Sequence, residues 1–103
     1  MTVVVTAVFF PAEGKQQELA QAMQRGIAAV HEEAGCEKYA IHAAEDGTVT
    51  MIEKWTSAED LDAHGAGSVV EILRGDVADL VAKPAVVTRM TPIAAGTPEQ
   101  GLL

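Results

Sequence analysis

The residues from which chemistry could be built in this chain fall mostly in one stretch, CEKYAIHAAEDGTVTMIEKWTSAEDLDAH, residues 36–64. It holds the single cysteine, the single tyrosine and tryptophan, and His42 and His64. An imidazole changes charge near neutral pH, which suits it to accept and return a proton. Together with Glu53, the two histidines make up the residue set of a 2-His-1-carboxylate iron site, although their spacing does not require them to converge. Cys36 beside a histidine could act as a nucleophile; a lone cysteine at a strand start is more often a small apolar filler. No Cys-x-x-Cys or His-x-x-x-His pair occurs, so no zinc site is indicated. The glycines fall singly at turns and helix ends, which excludes a phosphate-cradling loop.

Strand periodicity sorts these residues by face. Residues 36–45 and 48–55 are β-rich runs around Asp46-Gly47, a hairpin signal whose type I′ form needs positive φ at both positions. In the first run Tyr39 and Ile41 share one face, and His42 lies opposite with Ala40. In the second, Met51, Glu53 and Trp55 share a face against Thr50, Ile52 and Lys54. A carboxylate on that mixed apolar face needs a partner. Ser57 is an N-cap candidate with Asp60 three residues on, so a short helix follows. There His64 lies one turn beyond Leu61. Trp55 and His64 could therefore face one space. Plainer roles stay open for each: an edge or interface ion pair for Glu53, core or dimer packing for Trp55, a solvated position for His42 or His64. His31 falls near a helix end, where a cation is favoured, and carries no assigned role.

The flanking segments supply the frame. Residues 2–10 are nearly continuous β-branched and aromatic sequence, which predicts a central strand. From Lys15 the period becomes helical, with Leu19, Ala22, Met23, Gly26, Ile27 and Val30 on one stripe. Gly26 on that stripe predicts close approach to the sheet, and Gly35 is placed to end the helix. After a break at Gly65 and Gly67, a second amphipathic helix turns Val69, Val70, Leu73, Val77, Leu80 and Val81 inward and is closed by Pro84. A last strand covers 85–91. The order β-α-β-β-α-β is the split βαβ signature of a ferredoxin-like α+β sandwich with an antiparallel sheet. Residues 1–93 form one domain, and 94–103 read as a flexible C-terminal tail.

Length and composition bound the rest. A chain of 103 residues supports one modest core. Aromatics are 4% of the chain, so aliphatic side chains must fill that core, and burying a sheet face against a second copy would enlarge it. The net charge of −8, from 15 acids and 7 bases, argues against nucleic acid and against anionic membranes. One cysteine rules out an internal disulfide. The N-terminal segment reads as a strand rather than a signal peptide, and no apolar run reaches the ~20 residues of a membrane helix. A cytoplasmic homodimer is the expectation.

Glu33, Gly35, Cys36, Tyr39 and His42, followed by a hairpin and then Glu53, Trp55, Leu61 and His64, resemble the antibiotic biosynthesis monooxygenase family. The resemblance extends over about residues 3–92. It implies a dimeric α+β barrel, in which ferredoxin-like units pair through their sheets, and a quinol monooxygenase-like activity. Members of this type oxidise a small quinol or phenol with O2 and no cofactor or metal. An electron-rich phenolate itself reduces O2, so the protein has only to bind a flat ring, take a proton and exclude water. The resemblance implies His64 and Trp55 as catalytic residues and Tyr39, His42, Glu53 and Met51 as substrate-binding ones. Haem-degrading relatives use a first-strand Asn, and this chain contains no Asn; haem degradation is disfavoured. The alternative is a non-catalytic small-ligand binding protein on the same dimeric fold.

Overall fold

The β-branched run near the N-terminus forms strand β1, Val3–Pro11, in the computed structural model, which describes residues 1–103. Helix α1, Gln16–His31, follows, then the hairpin strands β2, Cys36–Ala43, and β3, Val49–Trp55. Two short helices, α2 (Ala58–Gly65) and α3 (Ser68–Val77), lead through one 3₁₀ turn to β4, Val81–Met90. The sheet order is β2-β3-β1-β4 with every pair antiparallel. This is the expected α+β ferredoxin-like arrangement. No helix is long and apolar enough to cross a membrane.

The helical stripe covers the β2 and β3 side of one face of the sheet. Leu19, Ala22, Met23 and Val30 of α1 are buried, each larger side chain contributing about 1.5–3 kcal/mol by leaving water. They meet Val5, Ala7, Val49, Met51 and Trp55 in one core. Strand β3 alternates as its sequence predicts, with Val49, Met51, Glu53 and Trp55 buried and the residues between them only half-buried.

Four local expectations need correction. Only glycines have positive φ, so Asp46 does not enter the left-handed region, and the hairpin is not a type I′ turn. Gly47 N–H donates to the Ala44 carbonyl (3.1 Å) and Ala44 N–H to that of Thr48 (2.9 Å). These bonds define a three-residue loop in which Gly47 alone, at φ 91°, is left-handed. Gly35 does not cap α1; it sits with φ 77° in a turn closed by Cys36 N–H on the Glu33 carbonyl (3.2 Å). Gly26 approaches helix α3 rather than the sheet, for a Cβ there would strike the Leu73 side chain. Pro84 does not close a helix. It lies inside edge strand β4, where the register with β1 slips between Val8–Val86 and Phe10–Lys83. An edge bulge is where a strand tolerates a residue without an N–H. Leu80 and Val81 consequently leave the helix for the 3₁₀ turn and the strand. Beyond β4, α4 (Pro98–Gly101) is one turn capped by Thr97.

Candidate active site

Register assembles the site floor. Tyr39 pairs with Glu53, Glu53 with Val5, and Val5 with Arg89, a single row across all four strands on the helix side. A bulge after Cys36 lets both Cys36 and Tyr39 stand opposite helix-side residues of β3; simple alternation would send them to opposite faces. Between this floor and helices α2 and α3 lies a cavity of about 580 Å³. Its walls are mostly apolar, including Val5, Ala7, Met23, Met51, Leu61 and Leu73. The volume suits a small organic molecule.

Its closed end is polar. Ser57 Oγ accepts from Asp60 N–H (3.2 Å), starting α2 so that Leu61 and His64 turn inward. His64 is 5% exposed. Its Nδ1 lies 3.1 and 3.2 Å from the two carboxylate oxygens of Glu33. A carboxylate only accepts, so Nδ1 carries the proton and Nε2 is left as the imidazole's acceptor. The Trp55 ring stacks 4.7 Å from the imidazole at 33°, and the Tyr39 ring meets it edge-on at 5.4 Å. His31 Nε2 donates to the Tyr39 carbonyl (3.0 Å), which pins the end of α1 to β2 next to Glu33.

Glu53 has the partner that its buried position demands. Trp55 Nε1 donates to its Oε1 at 2.9 Å. Burial nevertheless holds the carboxyl above its ordinary value; the Trp55 bond and the His64 charge pull it down, and Glu33 pushes it up. Burial, with the charges of Glu53 and Glu33, also raises the Tyr39 hydroxyl. Tyr39 therefore stays protonated, a donor and not a base.

The candidates do not all meet. Tyr39, Met51, Glu53 and His64 line the cavity. Trp55 is wholly buried behind His64 and Glu53, and it acts on both without forming cavity wall. His42 is exposed on the other face of the sheet, with Nδ1 3.4 Å from the Thr50 carbonyl. His42, Glu53 and His64 therefore do not converge, and no cluster of three His, Cys, Asp or Glu side chains is placed to hold an ion. The Cys36 thiol is pushed up by burial, Glu33 and Glu53, the reverse of an activated nucleophile. Sequence reasoning assigned no role to Glu33 or Arg89. Glu33 is 31 residues from His64, and no local pattern announces such a pair. Arg89 is visible only through the register of β4.

The family model for antibiotic biosynthesis monooxygenase matches residues 2–70, the span that holds Glu33, Tyr39, Met51, Glu53, Trp55 and His64. The chain is similar to the solved structure of Rv0793 from Mycobacterium tuberculosis, at 26% identity and TM-score 0.83, over 94% of this chain and 100% of the other. It is similar to SO0527 from Shewanella oneidensis at 28% and 0.78, over 86% and 88% of the two chains. A conserved protein from Methanosarcina mazei, at 20% and 0.80 over 87% and 91%, shares the fold. No curated protein matches the sequence significantly.

Proposed function

The chain belongs to the antibiotic biosynthesis monooxygenase family, and from that premise we propose that it oxidises a small phenol or quinol with O2 and no bound cofactor. The observation that supports this reading is His64, held on Nδ1 by Glu33, at the closed end of an apolar cavity of about 580 Å³. Nε2 takes the proton of the substrate hydroxyl. The resulting phenolate passes one electron to O2, and the two radicals join to form a C–O bond at a hydrogen-bearing ring carbon ortho or para to the oxygen. His64 returns its proton to the peroxide, accepts the proton leaving that ring carbon, and delivers it to the hydroxide released as the O–O bond breaks. One oxygen atom stays on the ring as quinone and the other leaves as water, so the substrate supplies all four electrons. Tyr39, protonated and part of the cavity lining, donates to the developing oxygen charge, and the aliphatic walls keep water from the reactive intermediates.

Oxygen uptake with a panel of naphthols and hydroquinones, with catalase and a chelator present, tests the proposal. One O2 consumed per substrate, with one labelled oxygen atom in the product, is the expected result. Saturable changes in fluorescence of Trp55, the only tryptophan, without oxygen uptake would instead make the protein a ligand carrier. The same reading pairs two chains through the face that the helices leave uncovered, where Val8, Phe10, Ile52 and Val86 project. Val86 is 54% exposed, and apolar side chains presented on an uncovered sheet face favour self-association. Light scattering at micromolar concentration should return twice the chain mass.

A further inference from the structure

Three polar atoms at the closed end of the cavity have no partner inside the protein. Trp55 Nε1 occupies Glu53 Oε1 and leaves Oε2 free. Glu33 occupies His64 Nδ1 and leaves Nε2 free. The Tyr39 hydroxyl is held by no side chain or carbonyl. Yet no side-chain nitrogen or oxygen sealed inside this protein lacks a hydrogen bond, so each of the three atoms must touch open space. Tyr39, Glu53 and His64 are more than nine-tenths buried and all line the cavity; the space they touch is the cavity. A buried carboxylate oxygen is costly to leave unbonded, and the reaction through His64 and Tyr39 makes no use of this one.

The three groups are neighbours. Tyr39 and Glu53 are cross-strand partners, the His64 ring meets Tyr39 edge-on, and the His64 charge acts on Glu53. Oxygenation takes two protons from the substrate, one from its hydroxyl and one from the ring carbon that oxygen joins. A base takes a proton across about 2.6–3.2 Å. An imidazole at that distance from the hydroxyl oxygen does not also reach a carbon para to it.

We propose that Glu53 is a second proton acceptor in the reaction, its Oε2 taking the proton from the oxygenated ring carbon and passing it to His64. The inference rests on the proposed role of His64 in the oxygenation. As the C–H bond breaks, its electron pair forms the quinone C=O bond, and the O–O bond breaks with its pair on the departing hydroxide. The proton passes from Glu53 through His64 to that hydroxide, which gives water and restores the carboxylate. Burial holds the Glu53 carboxyl above its ordinary value, so its carboxylate is a stronger base than one in water. The Trp55 bond fixes Oε1 and with it the direction of Oε2.

The test follows 1-naphthol, unlabelled and deuterated ortho and para to the hydroxyl, with oxygen uptake and quinone absorbance recorded together on wild type and on Glu53→Gln. That amide keeps the Trp55 bond, and thermal melting checks the fold. Wild type should release quinone in step with oxygen. Glu53→Gln should take up oxygen in the first turnover at close to the wild-type rate yet form quinone about a hundredfold more slowly. A ring hydroperoxide should then accumulate, with an isotope effect on quinone formation severalfold larger than that of wild type. Glu53→Asp, which keeps a carboxylate, should recover much of the loss. If Glu53 only holds Trp55, oxygen uptake and quinone formation will slow together in Glu53→Gln with no added isotope effect. That result would overturn the inference and leave the monooxygenase reading intact. No oxygen uptake by wild type with any naphthol or hydroquinone would overturn that reading, and the inference with it.

Discussion

At the closed end of the cavity, Tyr39, Glu53, Trp55 and His64 are each less than a tenth exposed, and the Glu33–His64 and Trp55–Glu53 bonds hold their polar atoms. Two strands away on β4, Val87 is 62% exposed and Arg89 has only a solvent-washed partner. The same row of the same sheet runs through both. The difference comes from what lies above it. Helix α1 packs on β2 and on α3, whereas β4 is an edge strand whose neighbour is β1. Burial at one end fixes side chains before any ligand arrives, as proton transfer requires. Exposure at the other leaves Arg89 with a pair that solvent weakens.

Substitutions can break or sharpen that contrast. The largest expected effect is from His64→Ala, which should lower kcat/KM by about 10²–10⁴-fold. The loss should shrink for more acidic phenols, which ionise unaided. An equal loss across a series of phenol acidities would reduce His64 to a packing residue. Glu33→Gln keeps the shape but removes the charge that orients the imidazole. A drop in kcat of about ten- to a hundredfold is expected, the value of a charge-assisted hydrogen bond; rates like wild type would detach Glu33 from the reaction.

Trp55→Phe should act on stability before it acts on KM, because the indole is not cavity wall. It strands the buried Glu53 carboxyl at a cost of about 1–3 kcal/mol, read from urea unfolding. A raised KM at unchanged stability would put the indole in contact with ligand. Glu53→Gln should go the other way. With its carboxyl held above the ordinary value of 4.5, the folded state binds the Glu53 proton more tightly than the unfolded state. Wild-type stability therefore falls as pH rises from the unfolded value through the folded one. The amide still accepts from Trp55 and carries no such penalty, so Glu53→Gln should melt higher at neutral pH, and the gap should close in acid. A gap independent of pH would assign it to packing. Smallest of all, Val87→Thr at the open end should change stability by less than about 0.5 kcal/mol; a large loss would show that β4 is covered in solution.

Much of the framework is legible along the chain because it rests on period and local chemistry. The stripe through Leu19, Ala22, Met23 and Val30, the alternation of Val49, Met51, Glu53 and Trp55, and the Ser57 cap each report a face or an end without reference to distant residues. Where local signals competed, the chain alone misled. Asp46-Gly47 fits a two-residue and a three-residue loop alike, and Pro84 reads as a helix stop unless a bulged edge is known to await it.

What the sequence by itself determined is which side chains share a surface: Met51, Glu53 and Trp55 on one side of a strand, Leu61 and His64 on one side of a helix. Tertiary structure decided which surfaces face each other. It set His42 on the far side of the sheet, brought Glu33 across 31 positions to His64, hid Trp55 behind the wall, and placed Arg89 in line with Glu53. The reason is physical. Periodicity follows from backbone geometry within a few residues, whereas strand register and helix docking are set by the burial of the whole core, which no local window contains.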